Sequence, residues 1–81
     1  MLFRYRLKAL REDADLTQQE LANKLHTTRP TISNYENTDR EPSYDVLIKI
    51  ADYFNVSLDY LLCRTNIRVP FSELYKDLKS K

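Results

Sequence analysis

Glycine is missing from all 81 residues. Average usage near 7% would give about five or six, and tight hairpins lean on glycine for positive φ. Its absence, with few β-branched runs, points away from strands and towards helices. Cysteine occurs once, which excludes an internal disulfide and suits a reducing cytoplasm. No apolar run approaches the roughly 18 residues of a membrane span, so no membrane is expected as a partner. The opening MLFRYRLK mixes charge among its apolar residues and has no signal-peptide core. Neither sign of charge dominates: 13 Lys and Arg against 12 Asp and Glu leave a net +1. Any binding of nucleic acid must therefore come from local placement of charge, with low non-specific affinity. The lone histidine, His26, has no Cys, His or Asp cluster at ligand spacing, so no metal is expected. Without a phosphate-cradling glycine loop or a His–Ser or His–Cys pair, an enzyme is the least favoured reading and no cofactor is expected.

What is present is an ordinary globular composition, 42% apolar and 31% charged, at a length that suits one small domain. A chain of this size buries only about 60–65% of its unfolded surface, so the core is modest. The organising stretch is Thr17 to Asn37, TQQELANKLHTTRPTISNYEN. Thr17 and Glu20, three apart, form a capping box. Leu21, Ala22 and Leu25 then make an apolar face at helical spacing. After His26 and Thr27, Thr28 offers a second cap, and Pro30 falls in a first turn, where a missing N–H does no harm. Ile32 and Tyr35 carry the inward face of this second helix. Arg29, Thr31, Ser33, Asn34 and Asn37 lie between them and can present hydrogen-bonding groups outward, to the edges of base pairs.

Around this motif, Phe3, Leu7, Leu10 and Ala14 predict a helix over residues 3–14, with Leu16 plugging the core after it. The motif helices span 18–25 and 29–36. A loop through Thr38 to Pro42 leads to Ser43, a cap for a helix over 44–54 with its stripe on Leu47, Ile50, Ala51 and Phe54. Asn55 is a left-handed stop. Ser57 caps a short helix over 58–62, with Leu58, Leu61 and Leu62 facing in. Cys63 to Pro70 is a connector, and Cys63 itself a small buried or half-buried residue. Beyond it Phe71, Leu74, Tyr75 and Leu78 fall at i, i+3, i+4, i+7, a helix too short to stand alone in water. That stripe either folds back on its own domain or packs on a partner subunit. The partner is favoured, together with Tyr60 and Leu61.

LTQQELANKL and HTTRPTISNYEN, followed by REPSYDVLIKIADYFNVSLDYLL, resemble the phage-repressor-like (XRE) helix-turn-helix family. The resemblance covers residues 4–62 and rests on an ordered set: the L-T-Q-x-E-L-A start, the I-S-x-Y-E-N end, the P-S cap and the V-S-L-D-x-L-L close. It implies an all-α, five-helix lambda-repressor-like DNA-binding domain over residues 1–62. Residues 63–81 then form a connector and a short C-terminal helical extension. It implies a cytoplasmic transcriptional regulator, a repressor in the favoured reading, that binds double-stranded DNA as a homodimer on a pseudo-palindromic operator. Matched position by position, Arg29, Pro30 and Asn34 fall where the family reads bases, with Thr28 and Thr31 beside them. Gln18, Asn37 and Arg40 fall where it holds phosphates, and Arg11 and Glu36 match an ion pair tying the first helix to the third. The chemistry agrees. Arg reads guanine through O6 and N7, Asn reads adenine, and a Thr methyl or Pro ring can contact a thymine methyl. The free N–H groups opening the second helix suit a phosphate oxygen.

Two positions depart from the family. His26 and Thr38 stand where it usually has glycine. Either these residues take positive φ at about 1–2 kcal/mol, or the turns are rebuilt. The competing function is a protein-interaction module such as an antitoxin-like partner, motivated by the low net charge and the apolar C-terminal stripe. No small-molecule ligand is expected, since residues 63–81 are too few for a separate pocket-bearing domain.

Overall fold

The structure, a computed structural model, describes residues 3–69, all of its regular elements helical: α1 (Phe3–Asp13), α2 (Gln18–Lys24), α3 (Arg29–Asn37), α4 (Tyr44–Phe54) and α5 (Leu58–Leu61). The proposed C-terminal helix over Phe71 to Leu78 lies outside the described residues. Each element starts where the sequence places it, and no end shifts by more than one residue. None of the described helices is long and apolar enough to cross a membrane.

Hydroxyl caps start three of the helices. Thr17 Oγ1 accepts from the Glu20 N–H at 3.0 Å while the Glu20 carboxylate accepts from the Thr17 N–H at 2.9 Å, closing the capping box. Ser43 Oγ accepts from Val46 N–H, and Ser57 Oγ from Tyr60 N–H. Thr28 does not act as expected. Its side chain caps no N–H of α3; its hydroxyl instead pairs with that of Thr31 at 2.8 Å.

The helix ends show how a chain without glycine turns corners. Asp15, His26, Asn55 and Cys63 all take positive φ, between 53° and 64°. At each, the left-handed residue donates its N–H three residues back and the next residue donates five back: Asp15 to Glu12 and Leu16 to Arg11, His26 to Asn23 and Thr27 to Ala22, Asn55 to Asp52 and Val56 to Ala51, Cys63 to Tyr60 and Arg64 to Asp59. This is the stop motif that glycine usually fills, because only glycine avoids the Cβ clash there. Asn, Asp and His tolerate it best of the rest. Thr38 resolves the other way. It is extended, at φ −132°, so α3 ends by a rebuilt turn and not by a left-handed residue.

The core gathers one stripe from every helix: Phe3, Leu7 and Leu10; Leu21, Ala22 and Leu25; Ile32; Leu47, Ile50 and Ala51; Leu61, with Val56 from the loop before α5. Leu16, Tyr35 and Phe54 are partly buried against it. Two expected core positions are not in it. Ala14 is exposed because α1 has stopped one residue earlier. Leu58 is 40% exposed, since α5 is a single turn and only its far end reaches the core.

The expected partner-facing role of Leu61 is also corrected. Leu61 is wholly buried in the chain's own core. Tyr60 is flanked by two guanidiniums, Arg6 at 3.9 Å and Arg68 at 5.4 Å from its ring centre. The connector is pinned there by Ser57 N–H donating to the Arg68 carbonyl at 2.9 Å.

Candidate nucleic-acid interface

The third helix divides into two faces. Ile32 is fully buried, Glu36 is 5% exposed, and Tyr35 is partly buried beside them. Arg29, Pro30, Asn34 and Asn37 face solvent, with Thr31 and Ser33 half-buried at the margins. An amphipathic helix placed against α1 and α2 can only turn this polar strip outward.

The expected base readers are chemically available. Among the described residues, neither the Arg29 guanidinium nor the Asn34 side-chain amide has a protein partner. Their donors and acceptors are thus free for a ligand. Pro30 sits in the first turn of α3 and offers only its ring. One of the Thr28 and Thr31 hydroxyls donates to the other at 2.8 Å, which leaves acceptor capacity and two methyl groups at the helix start.

The expected phosphate-binding residues lie on either side of α3. Asn37 donates from Nδ2 to Ser33 Oγ at 3.1 Å, which holds its amide along the helix. Thr38 Oγ1 donates to the Asn34 carbonyl at 2.6 Å and accepts from the Arg40 N–H at 3.1 Å. The hydroxyl thereby shapes the glycine-free exit loop and leaves the Arg40 side chain exposed. Arg4, on α1, approaches Asp39 of the same loop at 3.6 Å. This exposed carboxylate lies between Asn37 and Arg40 in the sequence.

Gln18 is half-buried at the first position of α2, and its Nε2 donates to Glu36 Oε1 at 3.2 Å. Glu36 is held in turn by Arg11, through Nε to Oε2 at 2.7 Å and Nη2 to Oε1 at 3.0 Å. The third donor of Arg11, Nη1, goes to the Leu16 carbonyl at 2.7 Å. The hydrogen bond to Glu36 raises the pKa of Arg11 against the opposing effect of burial, so the guanidinium stays charged. One cluster thus ties α1, the loop into α2, the start of α2 and the last turn of α3. The pair of Arg11 and Glu36 was expected; the bonds to Gln18 and Leu16 were not. The available signal was the position of Glu36, four residues after Ile32 on the buried face, where a carboxylate needs several donors.

A family model described as helix-turn-helix matches residues 7–61. Among curated proteins, the chain is 49% identical over 61 residues to YqaE of Bacillus subtilis (strain 168), named an uncharacterized HTH-type transcriptional regulator; the match covers 75% of this chain and 53% of that one. It is 44% identical over 62 residues to the HTH-type transcriptional regulator ImmR of the same organism, covering 76% and 49%. The HTH-type transcriptional activator BcrR of Enterococcus faecalis is 37% identical over 62 residues, covering 76% and 30%. The chain spans about half the length, or less, of these relatives.

Proposed function

Since the chain belongs to the phage-repressor-like helix-turn-helix family of transcriptional regulators, we propose that it is a sequence-specific cytoplasmic repressor. In this reading it binds a pseudo-palindromic operator as a dimer, with α3 in the major groove. The observation that carries this is the outward strip of α3, where Arg29 and Asn34 hold unpartnered hydrogen-bonding groups on a helix braced from behind by α1 and α2. Arg29 reads guanine and Asn34 adenine, the pairings their geometry suits. Thr28, Pro30 and Thr31 add methyl and ring contacts at the helix start. Gln18, Asn37 and Arg40 hold phosphates on either side and set the depth and register of the helix.

With a net charge of +1, few phosphates are neutralised, and discrimination rests on base contacts. Two copies reading successive major grooves place their recognition helices about 34 Å apart. Selecting bound duplexes from a random pool tests the whole proposal. Recovery of a two-fold symmetric site with half-sites one helical turn apart supports it. Recovery of no preferred sequence sinks it.

A further inference from the structure

Among the described residues, Glu36 is the one charged side chain buried in the core. Its carboxylate accepts three hydrogen bonds, two from Arg11 and one from Gln18. An ionised carboxylate can only accept. It therefore decides which end of the Gln18 amide faces it: the NH₂ and not the carbonyl oxygen. That nitrogen carries two hydrogens at a wide angle. With one held at 3.2 Å by Glu36 Oε1, the other has no partner among the described residues and is left for a ligand.

We infer that Glu36 is a positioning residue for DNA binding, which orients the Gln18 amide so that a phosphate oxygen meets an N–H and not a carbonyl oxygen. The inference rests on the reading of Gln18 as a phosphate contact. The terminal torsion of a glutamine is otherwise broad. A free amide offers donor or acceptor to its surroundings and loses that freedom on binding, which weakens association. Here the orientation is set beforehand by a group that cannot rotate, because both its oxygens are fixed by Arg11. The same guanidinium fixes the Leu16 carbonyl, so the approach of the chain to α2 and the orientation of the first side chain on it have a common origin. Phosphate contact and base-reading helix are thereby held in one frame: Gln18 hangs from the last turn of the helix that carries Arg29 and Asn34.

The test is a double-mutant cycle on the affinity of the full chain for two duplexes, one selected from a random pool and one of unrelated sequence, counted on folded protein. Gln18→Ala weakens both about tenfold. Glu36→Gln weakens both about threefold with Gln18 in place, and has almost no further effect once Gln18→Ala is present. Equal losses in the two backgrounds overturn the inference, because Glu36 then acts on the fold alone. An unchanged affinity in Gln18→Ala also overturns it, and a retained loss in Arg29→Ala then shows that DNA binding itself stands. Should Glu36→Gln not fold, the unsubstituted chain still decides the matter. On titration with the selected duplex, one of the two Gln18 side-chain amide protons shifts and the one on Glu36 holds. Both shifting together, or neither shifting, rejects the assignment.

Discussion

Arg11 and Glu36 meet side-on, two nitrogens on two oxygens, with side chains only 11% and 1% exposed. At that burial the desolvation of each charge is large, and the pair is tolerable only because every oxygen has a donor. Removing one partner is the severe change. Glu36→Ala is expected to lose about 3–5 kcal/mol, a large part of the stability of a domain this small. The double variant Arg11→Met with Glu36→Leu recovers most of it, because no unpaired charge is left inside. Urea unfolding of the three proteins measures this. A loss below about 1 kcal/mol for Glu36→Ala would place the pair among surface ion pairs.

The outward residues of α3 and its flanks should separate by kind of effect. Arg29→Ala and Asn34→Ala each cost about 1–3 kcal/mol on the selected site and relax preference at one base pair. Arg40→Ala weakens all duplexes evenly and lowers the salt dependence by about 0.9 in the log–log slope, since one fewer counterion is released. Gln18→Ala also weakens all duplexes, but its amide is neutral, so the slope stays. Affinities at several salt concentrations on matched and mismatched duplexes distinguish these. If Arg29→Ala shifts the slope without changing sequence preference, it is a phosphate contact and the assignment of base reader is wrong.

Local chemistry was legible along the chain, and distant chemistry was not. The caps at Thr17, Ser43 and Ser57 and the left-handed stop at Asn55 follow from neighbours within a few residues, and the structure has them all. Thr28 obeys the same rule on paper. It fails because a second hydroxyl, on Thr31, lies within reach and takes its place. Asp15 and Cys63 gave no warning of positive φ, because their backbone is set by where the packed helix must stop and not by the residue there. The link from Gln18 to Glu36 spans 18 positions. No spacing rule reaches that far, and only the burial of Glu36 hinted that it needed more donors than Arg11 could supply. The exposed strip on α3 was legible as an amphipathic face, although the periodicity alone does not say what that face touches.

The glycine-free stops are open to improvement. His26 holds φ 56° and Cys63 φ 64°, a region costing an L-residue about 1–2 kcal/mol. Glycine removes that cost and gives back part of it as unfolded-state entropy. Cys63→Gly should gain about 0.5–1 kcal/mol, raising the thermal midpoint by several degrees. His26→Gly and Asn55→Gly should gain less, since histidine and asparagine already tolerate the region. Thermal melts followed by circular dichroism check this. A lower midpoint in all three would mean that the side chains contribute contacts outweighing the backbone strain.

The capping box makes one contribution to stability depend on pH. Two contacts with Thr17 lower the pKa of Glu20, its backbone N–H first and its side chain second. In the unfolded chain that carboxylate returns to its ordinary range. As pH falls through that range the unfolded state takes up the proton first, so the linkage lowers stability. The contribution is fully present above the unfolded pKa and is lost as pH falls through the folded one. Glu20 is fully exposed, so the effect is small and screened by salt. The expected signature is a difference between variants: Glu20→Gln removes this titration, so its melting curve falls less steeply with acid than that of the unsubstituted chain, and the two converge once Glu20 is protonated. A side-chain carbon titration of Glu20 by NMR gives the folded pKa directly, and a value at or above the ordinary carboxylate range would show that the box does not hold the ionised form.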